Sequence, residues 1–149
     1  MNGAVWPVWA VVAACGVLVQ LMKLLMYSLA RKHLALTAAV QANGLPSLPA
    51  ALLSCLVVVV TRSAGWESAE AGVALVFAVI VVHDSLKMGW LTDLQREALV
   101  RLLDHLEDLD APARRAAAYL DPRAHHPAHV AAGLVLGGVF ALAFGPGPR

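Results

Sequence analysis

Residues 5–29 read VWPVWAVVAACGVLVQLMKLLMYSL, and Lys23 is the only charge in the run. A bilayer core is crossed by about 20 predominantly apolar residues wound as a helix. The stretch is therefore a membrane span, with Pro7 near its start. No basic residue precedes it, the apolar run is too long, and it lacks a clear small-residue cleavage site, so it does not read as a cleaved signal peptide. The rest of the chain is read around it.

Three further apolar runs follow. Leu45 to Ala64 is long enough to cross, but its apolar heart from Ala50 to Thr61 is short, and Pro46 and Pro49 at its start are expected to break it or make it re-entrant. Ala69 to about Trp90 forms the third span. His129 to about Gly145 forms the fourth, and its Gly133-x-x-x-Gly137 has the spacing that lets two helices approach closely. Between Leu91 and about Asp110 the pattern changes. Leu91, Leu94, Ala98, Leu102, Leu106 and Leu109 recur every three or four residues, with Arg96, Glu97, Arg101, Asp104, Glu107 and Asp108 among them. That is an amphipathic helix, lying on the membrane surface or packed on the bundle.

The fold class that emerges is all-α: one integral membrane bundle of about four transmembrane helices (about 5–29, 45–64, 69–90 and 129–145) plus an amphipathic helix. Composition agrees. Of 149 residues 60% are hydrophobic and 14% charged, against about 45–50% and about 25% in soluble domains. A soluble domain this short could not hide so much apolar surface. A net charge of +1 gives no footprint for nucleic acid. Arg31 and Lys32 after span one, and Lys87, Arg96 and Arg101 after span three, place the 30–46 segment and the amphipathic helix in the cytoplasm and both termini outside.

Polar chemistry is sparse. Cys15 and Cys55 sit inside apolar runs and read as small buried hydrophobes. His125 and His129 stand one helical turn apart, but Pro127 lies between them and two ligands fall short of a site, so they read as interfacial histidines at a helix start. No metal or other cofactor is expected. There is no phosphate-binding glycine loop and no Gly-x-Ser-x-Gly elbow. Charges inside spans are expensive, which singles out Lys23 and the pair His83-Asp84. Lys23 can snorkel along its stem. Asp84 cannot, and a Lys23–Asp84 pair across two spans would satisfy both.

In serial order the polar marks are Gln20-x-x-Lys23, Arg31-Lys32, Asn43-Gly44-Leu45-Pro46-Ser47, Asp84, Gln95, and His125-x-Pro127 followed by Val130-x-x-Gly133-x-x-x-Gly137. This series resembles the divergent PAP2 family, small membrane proteins grouped with acid phosphatases and vanadium haloperoxidases, over nearly the whole chain. In that family a central signature reads Gly-Gly-Met-Pro-Ser-Ser-His-Ser and a later one Asp-Ala-x-Gly-Val-Arg-Arg. The resemblance implies cations that cradle a phosphate and a histidine that attacks phosphorus, since charge on the equatorial oxygens must be neutralised and the nucleophile must be a neutral imidazole.

This sequence departs from the family at those places. Pro49 stands where the signature has its histidine, and Gly89 and Trp90 stand where the paired arginines would fall. What the resemblance leaves is a phosphate-binding set of Lys23, Arg31, Ser47 and Gln95, with His83 and Asp84 as the remaining catalytic candidates and His33 as another imidazole. The expected function is a catalytically degenerate PAP2-like protein with a phosphate or lipid-headgroup pocket. An active lipid-phosphate phosphatase with a rearranged site and a structural subunit of a membrane complex are the competing readings. Expected partners are membrane lipids, a phosphorylated headgroup and a second copy of the chain.

Overall fold

The computed structural model describes residues 6–31, 45–104 and 127–147. Among these the chain forms four α-helices and no strand: α1 Val8–Arg31, α2 Leu48–Ala64, α3 Ala69–Asp104 and α4 Pro127–Phe144. Three are long and apolar enough to cross a membrane, over Val8–Met26 in α1, Ala69–Leu102 in α3 and all of α4. At 17 residues α2 is shorter, about 26 Å of helix.

Local chemistry explains the helix ends. Pro7 opens α1, its carbonyl accepting from the Ala10 and Val11 N–H groups. In α2 the expected break does not occur. Pro46 lies before the helix and Pro49 in its first turn, where a missing N–H removes no intrahelical bond. Gly65 ends α2 at φ 90°, its N–H bonded to the Thr61 carbonyl. Ser68 then starts α3, with the Ala71 N–H bonded to its hydroxyl at 3.2 Å and the Gly72 N–H to its carbonyl at 3.1 Å, the usual service of a serine N-cap.

The amphipathic segment after Trp90 is helical, as its spacing predicts, and it continues α3 without a break as far as Asp104. Nothing in Leu91–Asp104 stops a helix, since the next proline is Pro112. Residues 105–110 of that expectation lie outside the described residues. At 36 residues, α3 is about 54 Å long, well beyond the roughly 30 Å of hydrocarbon. On this far part Leu94, Leu99 and Leu102 are exposed.

The bundle is organised around α2, which packs most extensively on α4, then on α3 and α1. α2 and α4 run parallel, because Ser47 meets His129, Ser54 meets Leu134 and Arg62 meets Leu142. α1 is antiparallel to α2, since Cys15 meets Ala51 and Cys55 while Gln20 and Leu24, later in α1, share a groove with Leu48 at the start of α2. The short Gly65–Ser68 turn makes α3 antiparallel to α2 as well. The α2–α4 pair thus separates α1 from α3. The core joins Val11, Cys15 and Val19 of α1 to Ala51, Cys55 and Val59 of α2 and Ala141 of α4. Both cysteines are buried and free.

Where α2 and α4 cross, the backbones nearly touch. A methyl built on Gly133 would collide with the Ser47 carbonyl, and one on Gly137 with the Ala51 carbonyl. The glycine-x-x-x-glycine face is therefore occupied by α2 of the same chain. Ser54 Oγ donates to the Leu134 carbonyl at 2.6 Å. At the far end Arg62 Nη1 donates to the Leu142 carbonyl at 3.1 Å, a cation against the carbonyl end of a helix.

Candidate functional site

The helix directions bring four termini or mid-points to one end of the bundle. α1 finishes there, α2 and α4 begin there, and α3 passes through on its way out. The junction is tied by the Ser47 N–H, which donates to the His129 carbonyl at 2.9 Å. Ser47 is the N-cap residue of α2, yet its hydroxyl makes no capping bond. Two parallel helices starting side by side point their partial positive charge the same way.

Lys23 lies at this level on α1, because Gln20 and Leu24 share a groove with Leu48. It is buried, with 7% of its surface exposed. The polar atoms near it in sequence are buried too. Gln20 Oε1 and Ser28 Oγ have no hydrogen-bond partner among the described residues. A buried acceptor or hydroxyl left unmade costs about 1–3 kcal/mol, so this half of α1 is built for polar company. Arg31 is the last residue of α1, eight residues and about 12 Å of helix rise beyond Lys23.

The other candidates lie elsewhere. The α2–α3 groove is lined by Leu56 and Val60 of α2 and by Ala69, Val73 and Phe77 of α3, so along the two antiparallel helices the level of Leu48 falls near His83 and Asp84. Both are exposed on α3. Asp84 has no ion-pair partner among the described residues, and the Lys23–Asp84 pair is not made. Gln95 is exposed on the projecting part of α3, about 16 Å of rise past Asp84. Pro49, in the position of the family histidine, is exposed on the first turn of α2. His33, His125 and His126 lie outside the described residues. No group of three or more potential metal ligands occurs among the described residues.

The residue that sequence reasoning undervalued is His129. Its carbonyl holds the α2–α4 junction and its Nδ1 is buried. The signal was present in the order of marks, where His125-x-Pro127 precedes the glycine-spaced helix, but only the parallel pairing of α2 and α4 brings it beside Ser47.

The family model described as Divergent PAP2 family matches residues 5–140. The chain belongs to that family. No curated protein and no solved structure matches it. Family and spans together make this divergent PAP2 member a multi-pass integral membrane protein. Its apolar outer surfaces, such as Val17, Leu21 and Leu25 of α1, face lipid.

Proposed function

We propose that this divergent PAP2 protein is catalytically degenerate and holds a phosphorylated lipid headgroup at the end of the bundle where α1 finishes and α2 and α4 begin. The chain acts as one membrane domain over residues 1–149 in which all four helices cross, α2 being the short one. Lys23 carries the reading: a cation is buried at membrane depth, one turn after the buried Gln20 Oε1, at the level of two parallel helix N-termini. Lys23, Ser47 and Arg31 at the helix end supply cationic and hydrogen-bonding recognition of a phosphate. Gln95 falls out of this set, because it stands on the projecting part of α3.

Degeneracy rests on the missing nucleophile. Proline at 49 can neither attack phosphorus nor move a proton, and His83, the described substitute, faces away from the bundle on α3. A rearranged phosphatase would need that imidazole turned toward Lys23, with the α2–α4 pair in between.

Titration of the purified protein with short-chain phosphatidic acid, diacylglycerol and inorganic phosphate tests the pocket and the chemistry together. Phosphatidic acid should bind and diacylglycerol should not. Lys23→Met should weaken binding by about tenfold or more, since hydrogen bonds to charged groups contribute about 1.5–3 kcal/mol. Equal binding of phosphatidic acid and diacylglycerol would remove the pocket. Release of phosphate that His83→Ala or Lys23→Ala abolishes would overturn degeneracy.

A further inference from the structure

α3 exposes the wrong residues on both sides of Trp90. Trp66, just before α3, and Trp90 are both exposed, and Ala69 to Trp90 spans about 31 Å of helix rise. Tryptophans at that separation mark the two membrane interfaces. Within these bounds, about 9 Å of rise before Trp90, the outer surface carries Asp84 and, one turn on, Lys87, both exposed. Neither is in an ion pair among the described residues. A short carboxylate facing hydrocarbon is costly. Beyond Trp90 the same helix enters water and exposes leucines.

Of these, Asp84, Lys87, Leu94 and Leu102 lie on one face, while the exposed Leu99 and Val100 lie outside it. Val73, Val76, Ile80, Asp84, Lys87, Leu94 and Leu102 fall within a single arc at 100° per residue. The arc points away from the stripe of Ala71, Ala74 and Gly89 that packs inward. Lipid would suit its first half apart from the charges, and water would suit neither Leu94 nor Leu102. A protein surface suits the whole length.

We propose that this face is the contact between two copies of the chain, α3 against α3. Copies inserted in one membrane share one orientation, so the helices pair in parallel about an axis along the membrane normal. Residues at equal depth then meet. Asp84 and Lys87 lie on opposite sides of the arc's midline and only about 4.5 Å apart in rise, so across the two-fold axis each Asp84 comes within reach of the partner's Lys87 and the contact gains two ion pairs at hydrocarbon depth. Leu94 and Leu102 close on their counterparts in water, as apolar seam positions do in parallel coiled coils. The face is self-complementary in charge, which selects a second copy over an unrelated protein. Headgroup binding at Lys23 plays no part in it.

Cysteine cross-linking of the full chain in membranes tests the face, with the wild type as background because Cys15 and Cys55 are buried. Ile80→Cys and Leu94→Cys should form disulfide-linked dimers at least tenfold faster than Leu86→Cys and Asp93→Cys, which lie outside the arc. Asp84→Lys or Lys87→Asp alone should lower the dimer fraction in dilute bilayers, and the double exchange should restore it. Equal cross-linking of all four positions, no cross-linking, adducts with a protein of different mass, or an exchange without rescue would each overturn the proposal.

Discussion

Along the α2–α4 seam, methyls built on Gly133 and Gly137 would run into backbone carbonyls, whereas one placed on Gly72 of α3 meets nothing within 4 Å. One pair of helices is joined backbone to backbone, and the other helix is exposed at almost every described residue past Gly89. The difference follows from the solvent. Hydrocarbon gives two helices little hydrophobic reason to associate, so close approach, dispersion and interhelical hydrogen bonds must hold them. α2 and α4 have all three. α3 keeps a thin inward stripe and leaves most of its surface to other contacts. The seam fixes the monomer; the α3 face is the one proposed for assembly.

Gly137→Val should break the seam outright. The Ala51 carbonyl belongs to a helix backbone and cannot move aside as a side chain would. Overpacking of side chains costs about 1–3 kcal/mol, and a clash with fixed backbone lies at or above the top of that range. Purified variant should run as aggregate, or unfold at far lower SDS fraction than wild type by circular dichroism. Normal folding would mean that α2 and α4 are further apart than the structure has them.

Asp84→Lys and Lys87→Asp probe the other region and should leave the monomer's unfolding midpoint nearly unchanged while the dimer fraction falls. Lys23→Met separates the regions further, because headgroup binding should be lost and dimerisation kept. A variant set in which all three properties fell together would show that the α3 face and the bundle are one cooperative unit.

Ser54→Ala removes the hydroxyl that donates to the Leu134 carbonyl at 2.6 Å. Interhelical bonds of this kind contribute about 0.6 kcal/mol on average and up to about 1.7. A loss of that size in SDS titration is expected, with no change in dimer fraction.

The four-helix fold was legible because apolar run length is read directly against bilayer thickness, and the glycine spacing in α4 announced a close crossing. Its partner was not legible: Gly133 and Gly137 are matched by Ala50 and Ala51 of α2, residues with no signature of their own. The prolines suggested a break within the span, whereas Pro46 precedes α2 and Pro49 sits in its first turn, two positions that a sequence alone does not tell apart. Lys23 was found because a lone charge in an apolar run is conspicuous, and Ser47 through the family frame around it. His129 was undervalued because the parallel pairing of α2 and α4, which places its carbonyl beside Ser47, has no signature in the sequence. Asp84 shows the limit of serial order. The family series groups it with Lys23, but depth along a helix and direction around it are separate coordinates, and only depth agrees.

Gly72→Ala should have the smallest effect. Alanine is favoured over glycine in a helix by up to about 1 kcal/mol, and the new methyl enters open space, so stability should stay level or rise by a few tenths. Gly72 lies outside the arc, about 40° from Val76. An SDS-titration midpoint at or slightly above wild type, with unchanged cross-linking of Ile80→Cys, is the expected result. A drop comparable to that of Gly137→Val would mean that another backbone lies against Gly72 in the membrane. The contrast between a closed seam and an open helix would then hold only for the isolated chain.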